Sequence, residues 1–512
     1  MHRLIAAIVP LALLVPAPSA GAEPAHSARD HTVTNPNDGT RIAITVFKPG
    51  GAEASNAVPV VLHSHGWGGS RQRTIDGAVR RFLDAGFGVV SIDQRGHGES
   101  EGQAHVQDPT RETEDIKAVI DRVARFDWVL HDRDADGNTI AADPVLGAIG
   151  GSYGGGYQTM TALDEIADEG RTRFNALAPE ITWYDLNESL APQKVARTAW
   201  NSILYAAGAR MVPQYIHEAF AWGAATGQWP DGTLYGERTE GVPDLDSEFH
   251  RHGPVWFAER GIRIDVPVLL RQGTSDNLFN LNQGLHILRR ATTGRARAQS
   301  YLIAYNGGHA LPNLLPTGFA SGGDACSPQD DFTRLTIDFF KRAFAGSSTR
   351  GLLPARYNLT TAAGDECIRT AGFAQAASSI EGAVTTAGLG APLNVEVARG
   401  PLTIAGIPRL TGRVTTRTLD ARGFFGLSMG TSPADARVVQ NNLMPLREAR
   451  PVTDERFGIE LPGVAANVPE GQRLFLTIAP ESDMYAAHGS RVPGTLELSD
   501  MRLTIPGPTR DG

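Results

Sequence analysis

The chain has 512 residues, 41% of them hydrophobic and 20% charged, with a formal net charge of −9. That length is too great for one ordinary core and calls for two domains or a domain with insertions. The acidic balance argues against nucleic acid and against an anionic membrane surface as partners, and no fixed-period repeat or low-complexity tract appears.

At the N-terminus, His2 and Arg3 precede an apolar run from Leu4 to Val15, and small residues and prolines fill Pro16 to Ala22. The run is short for a bilayer span, and Ala20-Gly21-Ala22 suits signal peptidase. The expectation is a signal peptide over residues 1–22 and a secreted protein, extracellular or periplasmic. The two cysteines, Cys326 and Cys367, then form one disulfide or remain as two buried thiols.

"TRIAITVFKPG" is the first clear strand. "VPVVLHSHG" and "GFGVVSIDQRGHG" are apolar runs bounded by glycine, separated by Ile75, Ala78, Val79, Phe82 and Leu83 at helical spacing. Ile116, Val119, Ile120 and Val123 mark another helix, with Asp108-Pro109 as a start signal nearby. "PVLGAIGGS" and "FNALAPEI" are further apolar runs. Strand, helix, strand at this spacing implies parallel strands with crossover helices. Uninterrupted apolar runs imply a sheet covered on both faces.

The rhythm breaks between Trp183 and Trp256, where five of the seven tryptophans lie. An insertion at the carboxyl edge of a parallel sheet sits over the usual ligand crevice, so residues 183–256 read as a helical cap. The sheet rhythm resumes at "VPVLLRQGTSD" and "AQSYLIAYNGGH", followed by a helix near Phe332 to Phe344. The catalytic domain is placed at 23–350 and a connecting segment at 351–375. Residues 376–512 hold short strand-like runs with Gly, Pro, Asn and Asp between them, the pattern of a β-sandwich.

"GAIGGSYGGGYQ" contains Gly150-Gly151-Ser152-Tyr153-Gly154, a Gly-x-Ser-x-Gly turn between an apolar strand and a helix. Glycines around a sharp strand-to-helix reversal prevent clashes and leave the Ser152 hydroxyl exposed. A serine needs a base to become nucleophilic, and the partners are expected after later strands, acid before histidine. Asp276 in "RQGTSDNLFN" and His309 in "YNGGHALP" occupy those places. Asp265 precedes its strand and lies at the wrong end. The Tyr153 amide at the helix N-terminus and the Trp67 amide in "HSHGWGGS" are the expected oxyanion donors. His63 and His65 organise that loop.

With these residues in hand, the chain resembles the Xaa-Pro dipeptidyl-peptidase and cocaine-esterase-like family of α/β-hydrolases. The resemblance rests on "GGSYGGGYQ", "DQRGHGES" from Asp93 to Ser100, "GTSDNLFN" and "NGGH". It implies an α/β-hydrolase fold with a helical cap insertion and a C-terminal jelly-roll domain. It carries the triad onto Ser152, Asp276 and His309, and an oxyanion donor onto Tyr153. The family's tyrosine hydroxyl donor has no counterpart, because Trp67 occupies that loop. Proline-specific exopeptidases hold a substrate amine, a role implied here for Tyr184 and Asp185, with Glu180 and Glu188 nearby.

"DRDADGNTIAAD", from Asp132 to Asp143, has the carboxylate spacing of a calcium loop but ends in aspartate and runs into a strand. A polar turn is the preferred reading, and no metal site is assigned. The expected function is acyl transfer through an acyl-enzyme on a small-molecule or peptide substrate, without a cofactor. Peptide cleavage at an Xaa-Pro site leads, with ester or amide hydrolysis as the alternative. A surface-binding protein with an inactive hydrolase domain is the reading from another class.

Overall fold

Ten strands form one sheet, whose central strands carry apolar runs that must be buried on both faces. In this computed structural model, which describes residues 25–309, 323–327, 331–380, 384–387, 390–486 and 494–509, the signal peptide expected over residues 1–22 lies outside the described residues. The strands are β1 (Ser27–Thr34), β2 (Arg41–Lys48), β3 (Val60–Ser64), β4 (Gly88–Ile92), a β5–β6 hairpin (His131–Arg133, Thr139–Pro144), β7 (Leu146–Gly151) and β8 (Phe174–Glu180). A small β9–β10 hairpin (Thr233–Leu234, Glu237–Arg238), β11 (Leu269–Gly273), β12 (Tyr301–Tyr305), β13 (Tyr357–Thr360) and β14 (Cys367–Thr370) follow. The main sheet runs β1-β2-β4-β3-β7-β8-β11-β12-β13-β14. It is parallel from β4 through β13 and antiparallel at both edges.

Crossover helices cover the two faces. Val79, Phe82 and Leu83 of α1 (Gly77–Asp84) pack on one side with Phe339 and Phe340, which lie on a later helix. On the other side lie Ile116, Val119 and Ile120 of α2 (Glu112–Val123) with Met160 and Leu163 of α3 (Tyr153–Glu169). Between β8 and β11 the chain inserts α4 (Leu186–Leu190), α5 (Thr198–Gly208), α6 (Gln214–Thr226), α7 (Leu245–His250) and α8 (Pro254–Glu259). Helices α4 to α7 share an apolar cluster with Tyr153, Trp183 and Phe279, while Val255, Phe257 and Ala258 of α8 join the main core. After β11 come α9 (Leu281–Arg290), α10 (Gly294–Arg297) and α11 (Phe332–Phe344).

Two segments differ from the sequence reading. Residues expected to be a connecting segment, 351–375, instead carry β13 and β14, which extend the main sheet past β12. Tyr357, Leu359 and Ile368 are buried there, and a Cys326–Cys367 disulfide ties β14 to the segment before α11. The Asp132–Asp143 stretch is a hairpin whose carboxylates are engaged separately. Asp132 accepts from Asn175, Asp134 accepts from the Asp136 and Asn138 amides, and Asp143 pairs with Arg171. They do not converge into a ligand set among the described residues.

The C-terminal region is an antiparallel sandwich. Phe373–Ser379, Thr495–Pro508, Arg409–Thr416 and Val452–Glu460 make one sheet. Leu393–Arg399, Arg473–Ala479, Ala421–Gly430 and Arg437–Val438 make the other. Leu410, Val414, Leu498 and Leu503 meet Phe425, Leu427, Leu474 and Leu476 between them. Ala421–Gly430 is buried along its whole length, because its outer face is covered too. Phe424 on that face packs 5.0 Å from the Tyr485 ring, within the cluster of the inserted helices.

Candidate active site

The turn at Ser152 shows why the sequence strips side chains from it. Ser152 has φ 58° and ψ −120°, in a region costly for a residue with a Cβ. A Cβ on Gly150 would sit 2.6 Å from the Ser64 and Gly154 carbonyl oxygens, and one on Gly154 would sit 2.5 Å from Ser64 O. Only glycine allows β7, β3 and α3 to meet this closely. The strained conformation is locked by hydrogen bonds: Ser152 N donates to Glu180 O (3.0 Å), and the Gly155 and Gly156 amides donate to Ser152 O (2.8 and 3.0 Å).

The structure brings Ser152, His309 and Asp276 together from three strand ends. His309 Nε2 lies 2.9 Å from Ser152 Oγ, and His309 Nδ1 lies 2.9 Å from Asp276 Oδ2. Asp276 is fully buried, and its other oxygen accepts from the Leu278 and Phe279 amides, both at 2.9 Å. The carboxylate is thus anchored by its own turn and fixes the imidazole with Nδ1–H toward it and Nε2 free to accept from the hydroxyl. Trp200 and Phe279 contact the His309 ring edge-on at 5.4 and 5.2 Å, which limits its rotation. Asp265 precedes β11, at the opposite end of that strand from Asp276.

The loop after β3 abuts the hydroxyl. A Cβ on Gly66 would stand 3.7 Å from Ser152 Cβ. The Trp67 indole is committed elsewhere, donating to Leu204 O at 2.8 Å, so its backbone amide is the group left for a substrate oxygen. Neither this amide nor that of Tyr153 finds an acceptor among the described residues. His65 and His63 sit beneath. Gln94 N donates to His65 Nε2 (3.2 Å), and His65 Nδ1 faces Gly66 O (2.8 Å). Burial lowers the pKa of His65, and it brings that of His63 down to about 4. Both rings are therefore neutral near pH 7 and act as loop supports.

Ser152 opens into a cavity of about 330 Å³ walled by Trp67, Trp183, Phe279, Phe249, Trp229 and the α5–α6 pair. Among its described lining residues there is no Asp, Glu, Lys, Arg or His. The residues expected to hold a substrate amine are elsewhere. Trp183 faces the cavity, and alternation along extended chain turns the next residue the opposite way. Tyr184 is buried in the main core with its ring 5.5 Å from His286. Asp185 caps α4, accepting from Glu188 N at 3.1 Å, and shares a separate polar cavity with Glu188. Glu180 pairs with Arg271 at 3.2 Å. This corrects the assignment of Tyr184 and Asp185 as substrate contacts.

Support from far along the chain was not visible in any motif. Asn442 of the C-terminal region donates to Asp276 O (3.0 Å), Arg197 of the insertion donates to Asn277 O (2.7 Å), and Trp200 donates to Asn277 Oδ1 (2.8 Å).

A sheet that begins 1-2-4-3 and is parallel from β4 onward, with a strained serine at the strand–helix turn and a buried His–Asp pair, defines an α/β-hydrolase fold. Residues 38–311 match the model of the X-Pro dipeptidyl-peptidase (S15) family, and the chain belongs to it. A CocE/NonD family hydrolase from Staphylococcus aureus superposes with a TM-score of 0.62 at 14% identity, covering 93% of each chain. An α-amino acid ester hydrolase superposes with a TM-score of 0.59 at 14% identity, over 99% of this chain and 100% of the other. In sequence, the chain is 24% identical over 214 residues to a putative serine esterase of Mycobacterium bovis, covering 38% of this chain and 31% of that protein. The chain spans roughly a third of the length of the curated relatives it matches.

Proposed function

We propose that the protein is a serine hydrolase that forms an acyl-enzyme on Ser152. His309 takes the hydroxyl proton at Nε2 as Ser152 attacks a carbonyl carbon. The Tyr153 and Trp67 amides receive the oxyanion, and Asp276 stabilises the imidazolium. His309 then protonates the leaving group, and water activated by the same nitrogen releases the acid. The hydrogen-bonded Ser152–His309–Asp276 chain at the mouth of a cavity carries this reading. No cofactor takes part in these steps. The Cys326–Cys367 disulfide supports a site of action in an oxidising compartment, outside the cytoplasm.

The cavity favours one side of the peptidase–esterase choice. A dipeptidyl-peptidase substrate brings an ammonium group, which needs a carboxylate once it leaves water. The wall, free of charged side chains among the described residues, suits an uncharged, bulky apolar acyl or alcohol group, so esters and N-acyl amides fit better than Xaa-Pro peptides with a free N-terminus. The test is a panel of p-nitrophenyl acyl esters against Xaa-Pro-anilides, on wild type and Ser152→Ala. The expected result is kcat/KM for esters at least about tenfold higher, the equivalent of about 1.4 kcal/mol, with both activities lost in the variant. Preference for the anilides would overturn the substrate class, and undiminished turnover in Ser152→Ala would overturn the mechanism.

A further inference from the structure

Behind the cavity wall, side chains from three elements converge without using one another. Asp108 lies on the loop that enters α2, Glu248 on α7, and His252 in the turn after α7. One ligand atom from each falls within 4.8 Å of the others. His252 is fully buried, yet neither ring nitrogen has a partner at good hydrogen-bond distance and angle; the Val106 backbone interacts with the ring more weakly. Its Nε2 is 3.8 Å from Glu248 Oε1, too long for a hydrogen bond. A buried imidazole so poorly satisfied costs free energy unless another ligand completes it.

We propose that Asp108, Glu248 and His252 form a site for a divalent transition cation of the zinc class. One imidazole and two carboxylates are the mixed nitrogen–oxygen donor set such ions take, whereas calcium favours oxygen alone. Bonds of roughly 2.0–2.2 Å place tetrahedral ligand atoms about 3.3 Å apart, so the 3.8 Å His252–Glu248 pair must close by about half an ångström, and no pair in the cluster, all within 4.8 Å, by more than about 1.5 Å. Asp108 Oδ1 is spoken for by the Thr110 amide and hydroxyl, both at 2.8 Å. Its Oδ2 stands 3.7 Å from Arg111. Glu248 Oε2 meets Arg251 at 2.8 Å, leaving Oε1 toward His252. The Tyr215 hydroxyl, also buried without a partner, interacts electrostatically with Glu248, Glu112 and Asp108 and stands as the fourth donor or its water's anchor.

A second acidic trio in the chain provides a contrast. Glu114, Asp164 and Asp168 surround the Lys117 ammonium at 2.7, 2.8 and 2.7 Å. There a side-chain cation already fills the centre. In the Asp108 cluster the arginines stand at the rim and the centre faces the imidazole.

The position gives the ion a role. Asp108 belongs to the hydrolase core, while Tyr215, Glu248 and His252 belong to the insertion. Val106, Ile216 and Phe249, neighbours of these residues in sequence, all line the cavity at Ser152. A bound cation therefore staples the insertion to the core and sets one wall of the substrate cavity.

The experiment uses untagged full-length protein stripped with EDTA, then freed of chelator and titrated separately with Zn2+, Mn2+ and Ca2+. Wild type should bind one equivalent of Zn2+, with a melting temperature that rises and saturates at that ratio. Glu248→Gln and Asp108→Asn should each bind at least roughly tenfold more weakly. Co2+-loaded wild type should show visible absorption bands of a nitrogen-ligated site, a readout that needs no variant to fold. Absence of stoichiometric Zn2+ binding by wild type, undiminished wild-type affinity in both variants, or tighter binding of Ca2+ than Zn2+ would each overturn the proposal.

Discussion

Asp93→Ala attacks the support of the loop that carries Trp67. Asp93 is 1% exposed and accepts from the Arg71 amide (2.5 Å), the Glu99 amide (2.9 Å) and the Arg71 guanidinium. The Arg71 side chain is 2% exposed, and its other carboxylate partners, Glu99 and Asp30, are 58% and 48% exposed, so solvent screens what they offer in compensation. Removing one member of a buried ion pair strands the other, at about 3–5 kcal/mol. Two backbone amides lose their acceptor as well, at about 1–3 kcal/mol each, less where water enters the vacated space. The expected loss is about 5 kcal/mol or somewhat more, a large share of the roughly 5–15 kcal/mol that holds a folded protein together. Asp93→Asn keeps the shape and an acceptor and should lose about half as much. Urea denaturation followed by circular dichroism measures both. A loss below about 1 kcal/mol for Asp93→Ala would refute the view that this carboxylate anchors the loop.

Asp276→Asn should leave the melting temperature nearly unchanged but lower kcat by roughly 10³–10⁴-fold, because the amide no longer stabilises the imidazolium; steady-state ester hydrolysis measures it. Asn442→Ala removes the contact to the Asp276 carbonyl and should lower kcat with little change in KM, a split read from the same assay. Burial pushes the Glu112 carboxyl up to about 8. A carboxyl raised on folding stabilises the fold fully below its unfolded value of roughly 4.3, and that stability is lost as pH rises through about 8. Melting temperatures across this range should fall with a slope that Glu112→Gln flattens, and an equal slope in both proteins would contradict the assignment. Opening the Cys326–Cys367 disulfide, whose cysteines are 41 residues apart, should cost about 4 kcal/mol on the chain-entropy estimate, seen as a lower denaturation midpoint under reducing conditions.

The features that local chemistry controls were legible in the residues. Apolar runs separated by helical spacing marked β3, β4, β7, β8, β11 and β12. The glycines around Ser152 announced the turn, and chain order placed Asp276 and His309. Long-range pairing was not legible. Tyr357–Thr360 is four residues, too short for its pattern to stand out, and pairing with β12 on one side and β14 on the other makes it a strand. The direction of a side chain after a strand end was hidden too, so Tyr184 and Asp185 were expected at a substrate and found in the core and at a helix cap. Asp108, Glu248 and His252 share no motif, because the fold alone joins them. Asn442 lies in another region of the chain from the carbonyl it supports.

The central claim is that His309 makes the Ser152 hydroxyl reactive. Intact-mass and peptide mass spectrometry after reaction with a fluorophosphonate tests it most directly. One adduct on Ser152 in wild type, none in Ser152→Ala and a rate reduced by roughly 10³-fold or more in His309→Ala are predicted. Labelling at another residue, or an undiminished rate without the imidazole, would contradict the account.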